Sequence, residues 1–252
     1  MTSLDPAARR DGLLRETDGL AALYLSADDA GVRIPTCPEW TLANLVAHVG
    51  GATRWAAAII AERATERVEF ARVPGVRRPH EVGEAARWLR GGARAVVDAV
   101  DAVGSETPVW TTAGIVLPAE WWIRRLLHEA LAHRADAALA LGREVEIVPE
   151  LAADGLAEFF GLVTVVTRAR PPLEAGHSLQ VRATDTGDVW TVYRSGDTLT
   201  CTDDSSPATV TIRGTAADLL LLLLRRIPAD AAGPATTGDP AVLATWLERT
   251  RF

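Results

Sequence analysis

Residues Glu144–Glu150 read EVEIVPE, and the chain is patterned differently on the two sides of it. Upstream, apolar residues recur at helical spacing over long stretches. Downstream, after one more helix, short runs rich in Val and Thr are separated by hairpin-turn signals. This break predicts an all-α domain over 1–146 and a smaller α+β domain over 147–252, so the fold class is α+β.

On the upstream side, AARRDGLLRETDGLAALYLSADDA carries Leu13, Leu14, Leu20, Leu23 and Tyr24 in a broadly helical pattern. GVRIPTCPEW then reads as a loop, because Pro35 and Pro38 bar regular structure. Thr41 is an N-cap candidate for a helix from Leu42 to about Ala64. RVPGVRRP connects to a third helix, about Glu81 to Val103, and GSETPVWTTAGIVLP is a longer excursion. A fourth helix begins near Pro118, with Gly142 as its C-cap. Four long helices with this spacing predict a four-helix bundle.

On the downstream side, a helix from Pro149 to Thr167 ends at RARPP. HSLQVRAT, VWTVYRS, TLTCTD and ATVTIRG read as strands of a small antiparallel sheet. The turn signals between them are DTGD, SGD and the stretch Asp204–Pro207. Helices over Ala216–Arg226 and Pro240–Thr250 are expected to cover one face of the sheet.

Composition narrows the function. A formal net charge of -7 removes the basic footprint of a nucleic-acid binder. All 26 cationic side chains are Arg, so Schiff-base lysines and P-loop lysines are excluded. The lysine-free, alanine-rich composition reflects a GC-rich genome. Cys37 and Cys201 form no paired motif, which fits a reducing cytoplasm. MTSLDPAARRDGLL has no apolar h-region, so no signal peptide is expected. The longest apolar run, Leu219–Leu224, is too short to span a bilayer, so no membrane partner is expected. A monomer or weak dimer is expected.

The chemistry concentrates in RRLLHEALAHRADA, residues 124–137. At about 100° per residue, Glu129 and His133 differ by about 40° and share a face, with Asp136 within about 20° of Glu129. His128 is turned about 140° from His133 and points elsewhere. Trp122, seven residues before Glu129, falls on the same face and is a candidate to line a pocket, whereas Trp121 reads as ordinary bundle core. A bundle completes such a site from a facing helix, and His48 in TLANLVAHVGG is the candidate third ligand. Two nitrogens and one carboxylate oxygen leave a coordination position open, the arrangement of catalytic zinc. On spacing alone other readings stay open: His48 as a hydrogen-bonded core histidine, and Glu129–His133 as a surface pair worth about a few tenths of a kcal/mol.

Three segments resemble a known family. TCPEWTLANLVAHVGG is similar to a signature of the mycothiol-dependent maleylpyruvate isomerase family, in which Cys-Pro-x-Trp-Thr opens a helix ending in a metal-binding histidine. HEALAHRADA resembles its second motif, where a glutamate and a histidine four residues later complete a zinc site. GTAADLLLLLLRRIP resembles its C-terminal signature, a leucine-rich helix ending in an arginine. The resemblance implies a DinB-like four-helix bundle followed by a domain similar to sterol carrier protein 2. It implies His48, Glu129 and His133 as ligands of a divalent metal, most simply zinc, and Asp136 as an acidic group supporting them or assisting catalysis. It also implies Arg226 as a catalytic arginine, with Arg225 standing where the family has glycine. Either arginine, together with Trp122, is a candidate to face bound substrate or cosubstrate.

The implied cosubstrate is mycothiol, the low-molecular-weight thiol of actinobacteria. Its thiolate would isomerise a conjugated, carboxylated small molecule from cis to trans, or be conjugated to an electrophile. Two alternatives compete with this: thiol-independent hydrolase or lyase chemistry at the same metal, and non-enzymatic binding of a lipid or small molecule in the C-terminal domain.

Overall fold

The computed structural model describes residues 2–166, 171–231 and 233–250. Two compact units emerge: Asp5–Val145, and Met1–Leu4 together with Glu146–Phe252.

The first unit contains helices α1 (Pro6–Ser26), α2 (Leu42–Ala61), α3 (Val82–Val103) and α4 (Glu120–Ala140). Their starts are set locally. Asp5 accepts from the Ala8 amide at 2.7 Å, with Pro6 pre-set for the first turn. Thr41 and Asn44 exchange hydrogen bonds at 3.0 and 3.3 Å in a capping box that opens α2. α1 packs on α4 and α2 on α3, around a core that includes Leu20, Tyr24, Leu42, Leu45, Val49 and Leu89. A half-buried ion pair ties the first two, with Arg134 Nε donating to Glu16 Oε2 at 2.5 Å. Gly142 ends α4 with φ +63°.

Two connections carry more structure than their sequence suggests. GVRIPTCPEW forms an antiparallel ladder of β1 (Arg33–Ile34) and β2 (Cys37–Thr41), despite its prolines. The register shifts between the pairs Ile34–Cys37 and Arg33–Thr41, so Pro38 falls in the irregular stretch between them, where a proline is tolerated. The excursion before α4 likewise pairs β3 (Pro108–Trp110) with β4 (Val116–Pro118).

Close approach of α2 and α3 depends on glycine. A Cβ at Gly50 would lie 2.0 Å from the Trp88 ring. That ring is pinned, because its Nε1 donates to Gly75 O at 2.7 Å and Arg54 lies 4.4 Å over its face. Gly50→Ala is therefore expected to destabilise the bundle by about 1–3 kcal/mol, read as a lower urea midpoint at unchanged m-value.

The second unit holds α5 (Pro149–Val166), strands β5 (Ser178–Ala183), β6 (Val189–Ser195), β7 (Thr198–Thr202) and β8 (Val210–Gly214), then α6 (Ala216–Leu223), β9 (Ala235–Gly238) and α7 (Pro240–Arg249). The expected end of α5 at Thr167, and residues 168–170 of RARPP, lie outside the described residues. The sheet order is β7-β6-β5-β8-β9. The sheet is not wholly antiparallel, since β5 and β8 run parallel. β5, β6 and β7 form a meander, so the chain must cross back to reach the free edge of β5. Buried polar side chains hold that crossing segment: Gln180 Nε2 donates to Ser206 O at 3.0 Å and Thr191 Oγ1 to Asp204 O at 2.5 Å. Helices α6 and α7 pack on β5 and β8, and Phe160 of α5 meets Trp190 and Trp246 in the core. Among the described residues no helix is long and apolar enough to cross a membrane.

Candidate metal centre

Helix α4 presents Glu129 and His133 one turn apart, and α2 brings His48 to them. Glu129 Oε2 lies 3.2 Å from His133 Nε2 and 3.6 Å from His48 Nε2. One ligand atom from each of the three residues falls within 4.8 Å of the other two. Two donors bound to one zinc ion at about 2.1 Å in tetrahedral geometry stand about 3.4 Å apart, so this set is within reach of a common ion. The His48 side chain is 42% exposed, whereas His133 is buried.

Behind the cluster, His133 Nδ1 lies 3.0 Å from Asp136 Oδ2. A carboxylate only accepts, so Nδ1 carries the proton and the Nε2 side faces Glu129. Asp136 is fully buried and also accepts from the Thr36 hydroxyl at 2.6 Å, reached from the turn between β1 and β2. This is the carboxylate–histidine arrangement that orients metal-binding imidazoles. Trp40 of β2 walls the site, its ring centroid 4.9 Å from that of His48 and 6.2 Å from that of His133.

Charge is balanced within the cluster. Burial would raise the Glu129 pKa, but the Arg125 guanidinium and hydrogen bonds from both histidines hold it well below the ordinary carboxylate value. The Arg125 guanidinium pairs with Oε1 of Glu129, while both histidines face Oε2. Burial would lower the His133 pKa, yet hydrogen bonds to Asp136 and Glu129 raise it to about 9. At neutral pH the metal-free site is thus an imidazolium bridging two carboxylates.

The structure brings together the four residues His48, Glu129, His133 and Asp136. Thr36, Trp40 and Arg125 join them. Arg125 is legible as an i,i+4 partner of Glu129, whereas the Thr36 hydroxyl finds its acceptor a hundred residues away. His128 is buried and outside the cluster.

Trp122 departs from its expected place on an open pocket. It is 2% exposed, its Nε1 donates to Trp110 O at 3.0 Å, and its ring meets Trp55 and Trp121. It shares the angular face of Glu129 but lies about 10 Å farther along the axis, where the bundle is closed. Trp121, expected in the core, is the less buried of the two.

Arg225 and Arg226 belong to the second unit. Arg225 follows α6 with φ +59°, the left-handed conformation glycine favours, at the position where the resemblance expects glycine. Its guanidinium donates to Leu247 O at 3.2 Å, and that of Arg226 to Leu224 O at 2.7 Å. Cys201 is half-buried and its thiol is pushed up to about 11 by burial, which suits an inert residue.

Comparison with known proteins bears on the fold and the family. The family model for the mycothiol maleylpyruvate isomerase N-terminal domain matches residues 13–138, and that for the corresponding C-terminal domain matches residues 150–245. A search of curated proteins finds no match. Among solved structures, the fold is similar to that of the mycothiol-dependent maleylpyruvate isomerase, at 16% identity and a TM-score of 0.61, over 95% of this chain and 97% of that one. A variant of that enzyme with a histidine replaced by alanine is similar to the same degree, again with a TM-score of 0.61. With both domains matched in order along most of its length, the chain belongs to the mycothiol maleylpyruvate isomerase family.

Proposed function

We propose that the protein is a mycothiol-dependent enzyme that isomerises a small conjugated carboxylate from cis to trans at a divalent metal, most simply zinc, held by His48, Glu129 and His133. The observation that carries this is the two-nitrogen, one-oxygen donor set within 4.8 Å, with Asp136 behind His133. A divalent ion bound there supplies one thing: it holds a thiol as thiolate at neutral pH.

The chain's own residues do the rest. Asp136 keeps the proton on Nδ1 of His133, which leaves Nε2 for the metal, and Thr36 fixes the Asp136 carboxylate. Trp40 shields the imidazoles from solvent on one side. Assignment of a substrate-carboxylate clamp to Arg226 rests on the resemblance of its leucine-rich helix to the family signature. Addition of thiolate to a conjugated double bond makes a rotatable single bond, and elimination after rotation returns the thiolate and gives the trans isomer. S-conjugation would share the first of these steps and omit the elimination.

The test is to incubate purified protein with a cis-configured conjugated keto acid, with and without mycothiol and with and without a chelator. Isomerisation that needs both thiol and metal supports the proposal. Turnover without thiol, or turnover that survives complete removal of metal, overturns it.

Metal binding should depend on pH in a calculable direction. The His133 pKa is raised, so its imidazolium stabilises the metal-free protein fully below about 6.5, and that contribution is lost as pH rises through about 9. A metal ion takes the place of the proton on Nε2. Apparent affinity should therefore climb about tenfold per pH unit up to about 9 and then level, with one proton released per ion bound at pH 7. Isothermal titration in buffers of different ionisation enthalpy counts that proton.

A further inference from the structure

The two oxygens of Glu129 are divided between different partners. Oε2 faces both imidazoles, at 3.2 and 3.6 Å, and Oε1 is taken by the guanidinium of Arg125, one turn earlier on α4. The Arg125 and Glu129 side chains are 17% and 30% exposed, so this pairing is partly sheltered from water. A carboxylate with both oxygens free can bind one metal ion with both and fill two coordination positions. Here the second oxygen already has a charged donor.

We infer that Arg125 is a positioning residue that restricts Glu129 to a single ligand oxygen, and so keeps a coordination position open for an anionic sulfur ligand at the expense of metal affinity. This rests on the metal reading given above. Charge acts in the same direction as geometry. A divalent ion with the Glu129 carboxylate, two neutral imidazoles and the Asp136 carboxylate behind His133 carries no net charge, and Arg125 raises the local charge to plus one. The added charge repels the ion and attracts a thiolate. Removing Arg125 should therefore move two constants in opposite directions. A residue needed only for folding would weaken both.

The experiment uses cobalt(II) as a spectroscopic substitute in the full chain. Metal affinity is measured by competition with a chromophoric chelator, and binding of azide and of 2-mercaptoethanol is followed in the visible spectrum. Arg125→Met is expected to bind cobalt at least about tenfold more tightly and both exogenous ligands at least about tenfold more weakly. Arg125→Lys keeps the charge and should stay within about threefold of wild type in both constants. Arg125→Gln keeps a donor without the charge and should shift both constants the same way by a smaller factor, which preserves the test if the methionine variant does not fold. Loss of metal affinity together with ligand affinity in a folded variant overturns the inference, as does unchanged ligand binding. If wild-type protein takes up no cobalt, the metal reading itself falls. If it takes up cobalt and binds azide but the variants match it, only the role of Arg125 falls.

Discussion

Replacing His48 with alanine is expected to lower divalent-metal affinity by about 100- to 1,000-fold while leaving the unfolding midpoint of the metal-free protein unchanged. Four-ligand zinc sites gain about 10–16 kcal/mol on binding, so one ligand is worth about 3 kcal/mol, and each 1.4 kcal/mol is about tenfold. The fold should be insensitive because the His48 side chain is 42% exposed and its ring packs against Trp40 at the edge of the site. Competition with a chromophoric chelator at fixed pH gives the first quantity, and thermal unfolding followed by circular dichroism the second. A loss of affinity under about threefold would remove His48 from the ligand set.

Asp136→Ala should do the opposite of a clean ligand deletion, because it damages both binding and folding. Asp136 is fully buried and accepts hydrogen bonds from Nδ1–H of His133 at 3.0 Å and from the Thr36 hydroxyl at 2.6 Å. Removing one member of a buried charged pair costs about 3–5 kcal/mol when the other stays charged. His133 can shed its proton instead, which sets the expected loss nearer to about 3 kcal/mol at pH 7. Metal affinity should fall by about 10- to 100-fold, the usual effect of losing the group that orients a metal-binding histidine. The pH at which metal affinity levels off should also move down from about 9, since Asp136 is the leading group that raises the His133 pKa. Asp136→Asn keeps an acceptor for Nδ1–H and should lose less affinity than the alanine variant. Equal affinities for wild type and both variants would show that His133 is oriented by something else.

Much of this site can be read before any coordinates, for a specific reason. Helical angle alone groups Glu129, His133 and Asp136 and separates His128, because about 100° per residue is a property of the backbone. What lies opposite a helix face is not such a property. His48 stands out by its half-apolar helix and by a motif, and the fold supplies the contact. Trp122 marks the limit of the angular argument, since it has the right angle and sits about two turns down, inside a closed aromatic cluster.

The change of pattern at EVEIVPE, from helices to strands, is readable because hydrophobic period is a local signal. Strand order is not local. Nothing in ATVTIRG indicates that β8 pairs parallel with β5, and the crossing segment is held by Gln180 of β5 and Thr191 of β6, which donate to its carbonyls at Ser206 and Asp204. β9 (ATTG) is invisible in the sequence because all four of its residues are exposed and it has no apolar face to announce it. The β1–β2 ladder is hidden by Pro35 and Pro38. That ladder matters to the site, because it presents Thr36 to Asp136 and Trp40 to both imidazoles before running into the cap of α2.

A thiol-binding metal centre on α2 and α4 is tested most directly by X-ray absorption at the zinc edge on zinc-loaded protein, before and after addition of mycothiol. Zinc held by His48, Glu129 and His133 should show imidazole scattering from two histidines with nitrogen and oxygen neighbours at about 2.0–2.2 Å, and one sulfur neighbour at about 2.3 Å appearing with the thiol. A spectrum without imidazole scattering, or one that gains no sulfur neighbour at saturating mycothiol, would contradict it.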